Sequence, residues 1–271
     1  MTDRRIELIA DRDRPGAFTL RVDGTDQSYV DLDDPRRLEF DYVQRIVDVI
    51  YAHGDPGAPL RFVHIGGAGM SVPRYIASTR PTSAQIVLEP DERVTALVRE
   101  RLPLPRNSGI KVRPVDGRTG IAAMRPAFAD VIVLDAFDGA RIPADLVTTE
   151  FFELVASVLT DSGLLLLNLA DRAPFAHARR VIAGVCAHLP NVMISAEPAT
   201  LKGRRFGNLL VVGSRGPIPW ESLARRAASS PLPYRVLPYR DVVDRFAGKL
   251  PFTDADTEQS PPPPGGATFF S

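Results

Sequence analysis

Cysteine is nearly absent. The 271 residues hold one, Cys186, which excludes an internal disulfide framework and a cysteine-cluster metal site. Histidine is scarce as well, with four residues and no His-Glu-x-x-His spacing, so no bound metal is expected. His64 falls inside an apolar strand pattern and reads as a core histidine. No run of about 18 apolar residues occurs, which argues against a helical membrane span. The polar start, Met1-Thr-Asp-Arg-Arg, does not read as a signal peptide. An excess of one charge is also missing. Lys plus Arg number 33 and Asp plus Glu 33, leaving no electrostatic reason to bind nucleic acid or an anionic membrane. These absences leave a cytoplasmic protein as the expectation, with 44% hydrophobic residues to build one sizeable core.

What is present divides into three segments. Residues 1–35 read as a small β-hairpin segment, with Asp23-Gly24 as the turn between two alternating runs. A helix follows, carrying Tyr42, Val43, Ile46, Val47 and Ile50 at helical spacing. Residues 36–250 form the main domain. Its apolar strands begin near Arg61, Gln85, Lys111, Asp130 and Leu164, and helical patterns lie over Glu92–Leu102, Thr149–Leu159 and Ala176–Leu189. Near-continuous apolar strands alternating with helices predict a buried parallel sheet in an α/β fold. Two last strands, near Asn191 and Asn208, are joined by too little chain for the usual crossover and are expected to pair antiparallel. That makes a Rossmann-like, methyltransferase-type sheet. Residues 251–271, with four consecutive prolines, read as a disordered tail.

The chemistry-bearing residues fall at successive strand ends, where open α/β sheets hold ligands. Gly66-Gly67-Ala68-Gly69 follows the first strand, letting backbone approach a ligand closely. It is not a dinucleotide fingerprint, because the third glycine required is Val72. Glu89 ends the second strand and could accept from two ribose hydroxyls. Asp116-Gly117 ends the third, and Asp135 ends the fourth. Each acid alone could be a helix cap, the reading preferred for Asp91. Ser71 reads as an N-cap too. Three acids on one sheet edge beside a glycine turn point to an adenosyl nucleotide.

These residues resemble the spermidine synthase (polyamine aminopropyltransferase) superfamily. His64-Ile-Gly-Gly-Ala-Gly is similar to its glycine motif. Leu88-Glu-Pro-Asp, Val115-Asp-Gly-Arg and Asp130-Val-Ile-Val-Leu-Asp-Ala-Phe-Asp are similar to the next three, and Leu146-Val-Thr-Thr-Glu-Phe-Phe to the helix beyond. The resemblance implies a nucleotide held by Gln27, Gly66, Gly67, Gly69, Glu89, Asp116 and Gly117. It implies Asp135 as the catalytic carboxylate that deprotonates an attacking amine, with Tyr42 and Asp138 on the amine substrate. It also implies a homodimer.

Two departures bear on the reaction. The family carries an acid at the position of Gly69, where it pairs with the amine of decarboxylated S-adenosylmethionine, and a histidine at the position of Val43. Losing the acid leaves either decarboxylated or intact S-adenosylmethionine as the nucleotide. Three readings follow: aminopropyl transfer to a small amine, methyl transfer to another acceptor, or a non-catalytic nucleotide-binding scaffold.

Overall fold

The computed structural model describes residues 4–264. Two sheets organise it. The small one runs β1 (Ile6–Ala10), β2 (Ala17–Val22) and β3 (Thr25–Asp31), antiparallel throughout. Its first strand was not read from the sequence. The large sheet contains β4 (Arg61–Ile65), β5 (Ala84–Leu88), β6 (Ile110–Arg113), β7 (Ala129–Leu134), β8 (Leu159–Asp171), β9 (Asn191–Ala196), β10 (Gly207–Ser214) and β11 (Arg235–Leu237). Their spatial order is β11-β9-β10-β8-β7-β4-β5-β6. The strands β4 to β8 pair in parallel. As expected, β9 and β10 pair antiparallel, and β10 inserts beside β8. β11, absent from the sequence reading, adds an antiparallel edge to β9.

The helices are α1 (Asp41–Ala52), α2 (Ser71–Thr79), α3 (Glu92–Arg101), α4 (Gly117–Ala122), α5 (Thr149–Val158), α6 (Ala176–His188), α7 (Pro198–Leu201), α8 (Trp220–Ser229) and α9 (Tyr239–Phe246). The two-residue period of a strand sorts each apolar run onto two faces. Val63, Ile65, Ile132, Leu134, Leu165 and Leu167 pack with Phe151, Phe152 and Val155 of α5 and Val181 of α6. Phe62, Val131, Val133, Leu164, Leu166, Leu210 and Val212 pack with Ile46 and Ile50 of α1 and Ile76 of α2. The small sheet docks through Leu20 and Val30 onto Met70 and onto Val94 and Val98 of α3.

The Pro-rich segment corrects its expectation over its described part. Phe252 is fully buried, lies 4.0 Å beneath the Arg180 guanidinium and sits beside His177. The Thr149 amide donates to the Phe252 carbonyl at 2.8 Å. Proline-rich composition gives a segment no core of its own, but this one borrows a place in an existing core. Residues 265–271, the rest of the expected tail, lie outside the described residues.

Candidate active site

On the α1–α2 side, the strand rows that pack beneath the helices lead to the same edge of the sheet. The row Phe62, His64 leads to Gly66, and the row Val131, Val133 leads to Asp135. Leu164, Leu166 leads to Asn168, and in the antiparallel β10 Val212, Leu210 leads to Asn208. These ends meet under a cavity of about 320 Å³, roofed by Gln27 of β3 and by Phe40 and Tyr42 at the start of α1.

Asp135 is the centre of a directed hydrogen-bond chain. Asn208 Nδ2 donates to Asn168 Oδ1 at 2.8 Å, and Asn168 Nδ2 donates to Asp135 Oδ1 at 2.8 Å. The Tyr42 hydroxyl acts on the same carboxylate and favours its ionised form. Burial pushes the Asp135 carboxyl up to about 6, and Asn168 and Tyr42 pull against that rise. Burial and the Asp135 charge raise the Tyr42 hydroxyl well above its ordinary value, so it keeps its proton. Among the described residues, no Lys or Arg pairs with Asp135.

Buried Arg45, one turn after Tyr42 in α1, donates to the carbonyls of Ser195 at 2.9 Å and Asn208 at 3.1 Å, fixing α1 against β9 and β10. The lining also carries Asp26, Glu39 and Asp41, and no Lys or Arg. Those three acids pair with arginines outside the lining: Asp26 with Arg21, Glu39 with Arg37 and Asp41 with Arg45. Of the four lining carboxylates, Asp135 is thus the one without an ion pair among the described residues.

The glycine turn fits a close ligand for steric reasons. Gly66 has φ +93°, and a Cβ there would lie 2.3 Å from the Asp135 carbonyl oxygen. A side chain is excluded twice over. The turn and Asp135 thus touch, which brings the expected nucleotide loop and the expected base to one place.

No protein-family model matches the sequence. The chain is 29% identical over 209 residues, 75% of each chain, to the polyamine aminopropyltransferase of Chromobacterium violaceum. A probable spermidine synthase from Corynebacterium glutamicum superposes on it with a TM-score of 0.85 and 31% identity, over 92% of both chains. The chain belongs to the spermidine synthase family. Spermidine synthase from Thermotoga maritima, at 16% identity, shares the fold with a TM-score of 0.61. So does human methyltransferase-like protein 13, whose structure holds SAH, at 21% identity and a TM-score of 0.57. The family is one of transferases.

Of the residues that the resemblance singled out, Gln27, Tyr42, Gly66, Gly67 and Asp135 line the cavity, and five do not. Glu89 is close by. Its Oε2 accepts from the Gly67 and Ala68 amides at 2.9 and 3.2 Å, and its Oε1 from the Asp91 amide. The carboxylate thus braces the glycine turn and retains lone pairs for further donors. Asp116 is exposed and caps α4, accepting from the Thr119 amide at 2.8 Å. That bond holds its carboxyl below the usual range. Gly117 permits α4 to pack on β4, where a Cβ would lie 2.3 Å from Ile65 Cγ2.

Gly69 faces β3. Its amide donates to Ser28 Oγ at 3.0 Å, and a Cβ would meet Ser28 Cβ at 2.8 Å and Val30 Cγ2 at 3.0 Å. A side chain at position 69 would therefore press on β3. Asp138, expected on the amine substrate, is exposed and ion-paired with Arg4. Ser71 is not an N-cap: α2 follows Met70 with no side-chain cap, and the Ser71 hydroxyl donates to the Tyr29 carbonyl at 2.6 Å. Asp91 does cap α3. His64 is buried against Gln85 at 3.1 Å, and burial lowers it to about 4, so it is neutral where it borders the cavity.

Asn168 and Asn208 were missed by sequence reasoning. Their signal was positional: a polar residue closing the Leu164–Leu167 run, and another opening the run Leu209–Val212.

Proposed function

We propose that this chain transfers an aminopropyl group from decarboxylated S-adenosylmethionine to a small amine, with Asp135 as the general base. The observation that carries this reading is Asp135, poised near 6 at the floor of a cavity whose only charged lining groups are carboxylates. The nucleotide, when bound, supplies an alkyl carbon activated by its sulfonium. The glycine turn, Gln27 and Glu89 are the groups available to hold it. The chain's own work is on the amine. An alkylammonium must give up a proton before its nitrogen can form a bond to carbon, and Asp135 is placed to take that proton. Asn168 and Tyr42 favour the ionised carboxylate until then. Balance is simple: a C–N bond forms, a C–S bond breaks, the sulfur leaves as a neutral thioether, and Asp135 holds the proton.

The test is release of methylthioadenosine by purified protein given decarboxylated S-adenosylmethionine and putrescine. Asp135→Asn should lower turnover by about 10²- to 10⁴-fold with the fold unchanged. Gly69, lacking the acid that would pair with the aminopropyl amine, favours a second reading, methyl transfer from intact S-adenosylmethionine. Release of S-adenosylhomocysteine in the same assay would select it. Binding of neither nucleotide would leave a non-catalytic scaffold.

Assembly as a homodimer and a cytoplasmic location belong to the same proposal. Among the described residues no helix is long and apolar enough to cross a membrane. A monomer by light scattering at micromolar concentration would remove the dimer.

A further inference from the structure

Directly after Asp135 the chain makes a tight turn that walls the cavity. The Asp138 amide donates to the Arg141 carbonyl at 2.7 Å, and the Arg141 amide returns to the Asp138 carbonyl at 3.1 Å. Gly139 and Ala140 between them both have positive φ, +56° and +62°. For Gly139 this is easy. For Ala140, which is buried and lines the cavity beside Phe137, it costs about 1–2 kcal/mol. A turn of this kind persists only where its surroundings over-determine it.

The surroundings that do so come from far along the chain. The buried Ser260 hydroxyl accepts from the Ile142 amide at 2.8 Å, and the Ser260 amide donates to the Ile142 carbonyl at 3.3 Å. The Arg141 guanidinium donates to the carbonyls of Ser260 and of Gln259. Thr257 Oγ1 donates to the Ala144 carbonyl at 2.7 Å. Upstream, this segment is tied down by buried Phe252 and by Asp254, which accepts from Arg118 Nη1 at 2.9 Å. None of residues 252–260 lines the cavity.

We propose that residues 257–260 are positioning residues for the active site: they clamp the Asp138–Arg141 turn so that Phe137 and Ala140 form the cavity wall. Their effect on turnover rests on the function proposed above, whereas their effect on the turn does not. The clamp makes ligand affinity depend on a segment that touches no ligand.

The test is limited trypsinolysis of the full chain, with cleavage after Arg141 followed by mass spectrometry. In the double variant Ser260→Ala/Thr257→Val, loss of two hydrogen bonds should accelerate that cleavage by about tenfold or more, with other sites little changed. Unchanged cleavage, or equal acceleration at every site, would overturn the proposal. A second measurement needs no variant. The Ile142 amide should exchange its hydrogen as slowly as those of β7 in the unaltered protein, and free exchange would refute the clamp. In the methylthioadenosine assay the double variant should raise KM by about three- to tenfold with kcat within about twofold. A fall in kcat at constant KM would contradict a positioning role. Should no nucleotide be turned over at all, proteolysis and exchange still decide.

Discussion

Asn208 fixes which way Asn168 faces. Its Nδ2 donates to Asn168 Oδ1, so the Asn168 amide group must turn its NH₂ toward Asp135, where it donates at 2.8 Å. An amide whose oxygen is claimed by a donor cannot flip without losing two bonds, so the carboxylate sees a donor in one fixed orientation.

Removing that donor should raise the Asp135 carboxyl above its value of about 6. For Asn168→Ala we expect the acidic limb of the kcat/KM profile against pH to move up by about one unit. Asn208→Ala should shift it the same way by less. An unmoved limb in Asn168→Ala would mean that this hydrogen bond does not govern the base.

Stability should report the same carboxyl independently of turnover. In the folded chain Asp135 holds its proton up to about 6, whereas its ordinary value is 3.8. The folded state therefore binds more protons than the unfolded state between about pH 4 and pH 6, and stability falls as pH rises through that window. Asp135→Asn should abolish this contribution and exceed the unaltered protein at pH 7 by about 1–3 kcal/mol. Near pH 3 the gap should close. The measurement is the difference in denaturation midpoint between the two proteins across pH, which cancels carboxylates common to both.

Restoring the family acid should not be a simple gain. In Gly69→Asp the new Cβ meets Ser28 and Val30, so we expect a loss of about 1–3 kcal/mol in chemical denaturation. Pairing it with Ser28→Gly should recover part of that loss by opening the contact. Full stability in Gly69→Asp alone would show that β3 yields easily.

Phe252→Ala should cost about 3–5 kcal/mol, as for any large side chain deleted from a packed core. A thermal midpoint near that of the unaltered protein would show that the segment is not part of the core.

The large sheet was legible because its strands are apolar on both faces and its helices keep their period, as in Ile132–Leu134 and Phe151–Val155. The glycine turn and Asp135 were legible because a strand end concentrates residues that packing does not explain. β1 and β11 were not, since short edge strands such as Arg235–Leu237 carry little pattern. Asn168 was hidden within a leucine run, because single-strand periodicity does not tell which polar residues from different strands meet. The partner of Asp138 was not legible either, since Arg4, far away in sequence, pairs with it. The prolines of residues 261–264 suggested disorder because composition does not register single anchors such as Phe252 and Ser260.

The Asp138–Arg141 turn is gripped on one side by Arg4 and on the other by Ser260. Arg4 is synthesised before any strand of the large sheet and Ser260 after all of them. During translation the whole sheet can emerge and pair while the wall beside Asp135 still lacks its second grip. Nascent chains can thus be folded and yet unfinished at the cavity wall that holds Phe137 and Ala140.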